Sequence, residues 1–200
     1  MDTKQEILAT ARELFAQSGY EAVGIQQICT AVGVTKPALY YHFGNKETLL
    51  KNVAADATSA FLASLSPQAP PSGTSEPFRV PFSGDLVSDV RSLFAAILRF
   101  SRTDPARFQI ILQLLYPPRG SVLGRLGEPE LARIHSSLAH FFSSAAAAHG
   151  NLSGKKQFLA AVFVGHAIAL AMFISRVDQE LQPDSPQVVQ ATQTFLYGIF

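Results

Sequence analysis

Apolar residues recur along this chain at helical spacing. Ile7, Leu8, Ala11, Leu14, Phe15 and Ser18 fall at i, i+1, i+4, i+7, i+8 and i+11, which lays one stripe along a first helix. Thr3 with Glu6 predicts a capping box at its start, and Gly19 a left-handed stop after Ser18. A short second helix is expected over 25–31, broken by Gly33. A third spans 36–43, with Thr35 as its cap and Pro37 in the first turn, where no hydrogen bond needs the missing N–H. Asn45 is placed to cap a fourth helix, whose Leu49, Leu50, Val53, Ala57, Phe61 and Leu65 keep the period.

The segment 66–84, "SPQAPPSGTSEPFRVPFSG", is dense in Pro, Gly and Ser and reads as a loop. Five helical stretches follow. Residues 85–102 carry Leu86, Val90, Leu93, Phe94, Ile97 and Leu98 on one face, and Asp104-Pro105 opens a nearly all-apolar sixth helix. After the turn-rich "PPRGSVLGRLG", residues 129–148 align Leu131, Ile134, Leu138, Phe141, Phe142 and Ala145. Ser153 is expected to cap a long helix reaching about Val177. Ser185-Pro186 starts the last helix, where Val188, Val189, Thr192, Phe195, Leu196 and Ile199 repeat the opening stripe. No stretch alternates as a strand does. The expected fold is all-α with about nine helices.

Composition narrows the class. Hydrophobic residues make up 48% and charged residues 16%, so either the core is large or apolar surface is shared with a partner or ligand. A net charge of +1 gives no global pull toward nucleic acid or membrane. The single cysteine, Cys29, excludes an internal disulfide or Cys-rich zinc site and fits a reducing compartment. The start, "MDTKQEILATARELF", lacks the pattern of a secretory signal, so the expected location is cytoplasmic. Leu159–Ile174 is the one segment suggesting a membrane span. At 16 residues with His166 at its centre it falls short of a bilayer crossing, and no membrane association is expected.

Chemistry gathers in "GVTKPALYYHFGNKETLL", residues 33–50. Two short helices joined by a glycine turn and backed by an amphipathic helix make a helix-turn-helix unit, whose second helix enters the major groove of DNA. Leu39 and Phe43, four apart, point inward. Lys36, Pro37, Ala38, Tyr40 and Tyr41 then face outward. Lysine can donate to guanine, Pro, Ala and Tyr edges can touch a thymine methyl, and Tyr, His42 and Lys46 can donate to phosphates.

This stretch, with "ILATARELFAQSGYEA" ahead of it, resembles the N-terminal DNA-binding domain of TetR/AcrR-type transcriptional regulators over residues 3 to about 55. The matching features are the Gly-Val-Thr turn, the Leu-Tyr-x-His-Phe end of the recognition helix and Asn-Lys-Glu-x-Leu-Leu after it. The resemblance implies DNA contacts from Thr35, Lys36, Pro37, Ala38 and Tyr40, phosphate contacts from Tyr41, His42 and Lys46, and a base or phosphate contact from Gln26. It also implies a DNA-binding domain at 1–48 and an effector-binding and dimerisation domain at 49–200. One departure stands out: Gly24 occupies the start of the second helix, where the family carries a Thr or Ser that touches phosphate. Charge is a second departure. Residues 1–56 hold five Lys and Arg (Lys4, Arg12, Lys36, Lys46, Lys51) against six acids, so weak non-specific binding makes a dimer a requirement of the reading.

The family's large domain binds a small molecule and dimerises through its last two helices. The sequence favours the homodimer independently, because residues 159–177 are apolar nearly all round and rich in Ala and Gly. Phe61, Leu65, Phe94, Leu98, Phe108, Leu112, Tyr116, Phe142, Phe163 and His166 are the candidates for an effector cavity, each also readable as ordinary core. Arg91 and Arg102 are candidate anchors for an anionic effector. The expected function is a ligand-responsive repressor of a palindromic operator, released by a hydrophobic or amphiphilic effector through a swing of the fourth helix, with the sign of ligand control left open. A ligand-independent DNA-organising factor and an interaction module with an inactive DNA-binding unit are the alternatives. An enzyme has no motif in its support: phosphate-cradling glycine loops, His-Glu-x-x-His and Gly-x-Ser-x-Gly are all missing from the sequence. His135 and His140, five apart, do not share a helical metal face, and no metal or cofactor is expected.

Overall fold

The computed structural model describes residues 2–66, 78–174 and 182–198. Among them are nine α-helices, one short 3-10 turn and no strand. The helices are α1 (Thr3–Ser18), α2 (Ile25–Val32), α3 (Lys36–Phe43), α4 (Lys46–Ser64), α5 (Leu86–Thr103), α6 (Pro105–Leu115), α7 (Val122–Ala148), α8 (Lys156–Ile174) and α9 (Pro186–Tyr197). Residues 67–77 of the expected loop, Val177 and Ile199 lie outside the described residues.

Three helix starts differ from expectation. Asp2, not Thr3, caps α1, its carboxylate accepting from the Lys4 N–H at 3.4 Å. An acid at that position also meets the positive end of the helix dipole. Helix α7 begins seven residues before the expected 129, continuing through Gly124, Gly127 and Pro129. Ser121 starts it by accepting from the Gly124 N–H at 3.1 Å. Gly127 faces Leu114 so closely that an added Cβ would stand 2.3 Å from Leu114 Cδ2. A side chain there would have to displace the Leu114 methyl, so the glycine suits this contact and the helix runs on through residues of low helix propensity. Helix α8 starts at Lys156, because Ser153 ends the 3-10 turn Gly150–Leu152 instead of capping the helix.

Two compact units emerge. The first comprises Met1–Ala60 with Pro105–Leu131, the second Phe61–Asp104 with Ala132–Phe200. In the first, α1 packs on α6, and the Gln113 side-chain amide donates to the carbonyls of Phe15 at 3.1 Å and Ala16 at 3.3 Å. Asp56 of α4 accepts from Arg12 of α1 at 3.0 Å and from Arg107 of α6 at 2.9 Å. Ile7, Ala11 and Phe15 of α1 are fully buried with Ile28 and Leu39, as the opening stripe requires.

In the second unit α5, α8 and α9 pack together. Phe94, Phe163 and Phe195 meet with ring centroids 4.7 to 6.1 Å apart, and Phe142 joins Phe163 at 6.1 Å and Phe195 at 5.9 Å. Edge-to-face and tilted arrangements of this kind suit the ring quadrupoles. Residues 78–84 are tied down: Ser137 donates to the Phe78 carbonyl at 2.8 Å, Val80 is buried, and Phe82 packs edge-on against Phe141. Helix α8, at 19 residues, is long and apolar enough to cross a membrane by length and composition. Within the unit, Leu159, Ala160, Phe163, Val164, Ala167, Ile168, Ala171 and Ile174 of this helix are buried.

Candidate nucleic-acid interface

The turn between α2 and α3 is set by Gly33, whose φ of 78° and ψ of 30° are left-handed. That conformation costs an L-residue roughly 1–2 kcal/mol and glycine nothing comparable. It lets the N–H groups of Gly33 and Val34 both reach the Cys29 carbonyl, at 2.9 and 3.0 Å. Thr35 then caps α3, its hydroxyl accepting from the Ala38 N–H at 3.4 Å. Pro37 sits in the first turn as expected. At the far end Gly44 donates to the Tyr40 carbonyl at 2.7 Å, and Asn45 caps α4 by accepting from Thr48 N–H at 2.8 Å.

These caps fix the rotation of α3. Leu39 and Phe43 are buried against the first unit's core. Tyr41 is 86% exposed and Tyr40 44% exposed, beside exposed Lys36 and Pro37. Ala38 and His42 are half-buried, and the His42 ring lies edge-on to Tyr41 with centroids 5.3 Å apart. An exposed tyrosine this size on a rigid helix presents both an apolar ring and a hydroxyl donor outward.

Lys46 is only half-exposed. Its ammonium stands 4.0 Å from the centroid of the Tyr20 ring, a cation–π contact outside the expected set of interactions. Partial burial holds the Lys46 ammonium below its ordinary value, with Glu21 acting in the opposite sense. Burial, with Glu47 and Glu21 adding to it, raises the Tyr20 phenol. Tyr20 therefore seats Lys46 as a neutral ring. The only sequence signal for this role is an aromatic directly after the Gly19 stop.

On α2, Gly24 is the N-cap and supplies no side-chain hydrogen bond. Gln26 is exposed and its amide leans on the Thr30 hydroxyl at 3.4 Å. Arg12, counted among five cations of residues 1–56, is committed to Asp56.

The expected cavity residues are divided. Phe61, packed on Phe100 at 5.6 Å, and buried Leu65, Leu98, Phe94, Phe142 and Phe163 belong to the second unit. Phe108, Leu112 and Tyr116 lie on α6 or just past its end, in the first unit; Phe108 is buried, Leu112 half-buried and Tyr116 64% exposed. His166 packs edge-on to Phe94 at 5.3 Å and edges a cleft of about 210 Å³ with Gln187, Gln190 and Thr194. Burial holds the His166 imidazole below its ordinary value. Arg102 donates to the Ile174 carbonyl at the end of α8 at 3.4 Å, so at least part of its guanidinium serves that helix end. No group of three or more His, Cys, Asp or Glu suited to a metal occurs among the described residues.

Residues 7–53 match the family model described as bacterial regulatory proteins, tetR family. Over these residues the chain is similar to the DNA-binding domain of that family. It is 25% identical over 115 residues to the HTH-type transcriptional regulator AcrR of Shigella flexneri, covering 58% of this chain and 48% of that protein. The chain thus spans about half the length, or less, of the curated relatives it matches. Over the whole length the fold is that of TetR-family structures. A tetR family transcription regulator from Shewanella sp. PV-4 superposes with a TM-score of 0.73 at 20% identity, covering 99% of this chain and 98% of the other. AibR, solved in complex with isovaleryl coenzyme A and operator DNA, superposes with a TM-score of 0.64 at 20% identity, covering 98% of each chain.

Proposed function

We propose that this protein is a sequence-specific DNA-binding transcriptional regulator, a repressor acting as a homodimer in the cytoplasm and released from a palindromic operator by a small hydrophobic or amphiphilic effector. The observation that carries the reading is the outward face of α3. Lys36, Pro37, Tyr40 and Tyr41 stand exposed on a helix whose rotation is fixed by buried Leu39 and Phe43, with Thr35 capping its start and Gly44 its end. Lys36 and the tyrosine edges read bases, aided by Ala38 and by Gln26 from α2. Tyr41, His42 and Lys46 grip phosphate, and Thr35 sets the first turn where the groove is entered.

Two subunits offset the weak charge of each. Exposed Phe158, Met172 and Phe173 on α8 and Tyr197 on α9 supply apolar surface for pairing through the last two helices. The aromatic cluster of the second unit supplies walls for an effector once its rings separate, and AibR is a precedent for both ligands on one fold. No catalytic role is assigned.

Selection from a random duplex library at moderate salt tests this. Enrichment of a palindrome with half-sites about one helical turn apart is the expected result. A folded dimeric protein that enriches nothing overturns the reading.

A further inference from the structure

The first unit contains a cavity of about 410 Å³ that shares only Tyr116 with the residues expected to line an effector site. It opens where α1 ends: the Ser18–Ala22 turn forms one wall, Gln113 and Tyr116 at the end of α6 another, and Pro118 with Leu123 close it. Its volume lies within the range of small-molecule sites. Tyr116 is the feature that marks it, a large ring left 64% exposed beside an apolar hollow.

The chemistry of the walls selects a ligand class. Two tyrosine rings, Tyr20 and Tyr116, with Pro118 and Leu123, favour a flat apolar body. Among the described lining residues only Glu21 carries a formal charge at neutral pH, and it is negative. Helices α1 and α6 both end here, so their carbonyl ends face the region with partial negative charge. The Gln113 amide nitrogen is already donating to the Phe15 and Ala16 carbonyls, which leaves its oxygen as the free group. Ser18, Tyr20, Tyr116 and Ser121 bring hydroxyls that donate or accept, whereas Glu21 and the Gln113 oxygen only accept, so the one formal charge disfavours an anion and the acceptors suit an N–H or O–H donor. We propose that this cavity binds a small uncharged aromatic molecule bearing a hydrogen-bond donor, and that its occupancy weakens DNA binding.

The coupling runs through Tyr20. Its ring lines the cavity and also seats the Lys46 ammonium, 4.0 Å from the ring centroid. Gly19, with φ of 79°, has no side chain to brace the turn that carries Tyr20. A ligand pressing on the ring shifts the seat of Lys46 and the turn leading into α2. The site itself stands apart from the proposed DNA function; only its effect on affinity rests on that reading.

Indole is the probe, with indole-3-carboxylate as its anionic counterpart. The chain contains no tryptophan, so indole emission excited beyond tyrosine absorption is read without background. The expected result is a saturable blue shift of indole emission on adding protein, and none with the carboxylate. Tyr116→Ala and the filling substitution Ala22→Phe are expected to abolish the shift, and Tyr116→Phe to retain it. Circular dichroism checks that each variant is folded, and the solvent-facing positions of Tyr116 and Ala22 make both tolerant sites. Saturating indole is expected to weaken operator binding by about fivefold or more in the wild type and not in Tyr116→Ala. A shift that survives both cavity variants, equal binding of the carboxylate, or operator affinity unmoved by saturating indole overturns the proposal. Protein that binds no DNA even without indole refutes the regulator reading instead, and the emission arms still decide the site.

Discussion

The Asp56 carboxylate grips the Arg107 guanidinium with both oxygens, Oδ2 at 2.9 Å from Nε and Oδ1 at 3.2 Å from Nη2. The same Oδ2 accepts from Arg12 at 3.0 Å, so one acid joins α1, α4 and α6. Removing it leaves two guanidiniums facing each other in a partly closed space. The side chain keeps 26% exposure, which screens the loss below that of a fully buried pair. Asp56→Ala is expected to destabilise the protein by about 2 kcal/mol. Arg12→Ala should cost clearly less, since the bidentate pair survives. Urea midpoints of the two variants check the order.

Leu39 and Tyr41 lie two residues apart on α3 and face opposite ways. Leu39→Ala empties a fully buried site and is expected to cost about 2–5 kcal/mol of stability. Tyr41→Ala should leave the unfolding midpoint within about 0.5 kcal/mol of wild type and weaken operator binding roughly tenfold. A Tyr41 variant that binds the selected operator as wild type does would refute the assigned face.

Lys46 differs from Lys36 in having a fixed seat. Under the proposed function, Lys46→Met removes one neutralised phosphate per subunit, and the slope of log affinity against log salt should flatten by about 0.9 for each. Tyr20→Leu keeps the charge but loses its platform. It should lower affinity while leaving the salt slope nearly unchanged. Titrations at several salt concentrations separate the two.

Burial holds the imidazoles of His135 and His166 below the ordinary histidine value. An unfolded chain takes up these protons near pH 6.5, whereas the folded chain takes them up only at lower pH. Stability is therefore complete above about pH 6.5 and falls as acidification carries the solution down through the folded values. His166→Gln should reduce that fall, most visibly between about pH 7 and pH 5. Equal acid sensitivity in the variant and wild type would show that His166 does not contribute.

The helix-turn-helix was legible because its determinants are local. Gly33, Thr35 and Asn45 act within four residues of their own positions, and the α1 stripe needs only the helical period. What escaped depended on distant partners. Gly124 and Gly127 read as a turn until Leu114 is seen close over Gly127. At Pro129 the helix continues without the N–H that would have met the Arg125 carbonyl. Tyr116 and Phe108 share an apolar segment, and only the packing of α6 on α1 turns one outward and buries the other. Asp56 carried no sequence signal, since its partners lie 44 and 51 residues away.

Gly24 opens α2 without a side-chain cap. Its φ of −89°, with no atom within 4 Å of where a Cβ would stand, leaves ample room for serine or threonine. A hydroxyl there would add a cap to the protein and a phosphate donor to the interface in one substitution. The native glycine holds both in reserve. On the proposed function, Gly24→Ser is expected to slow dissociation from the operator by adding that contact.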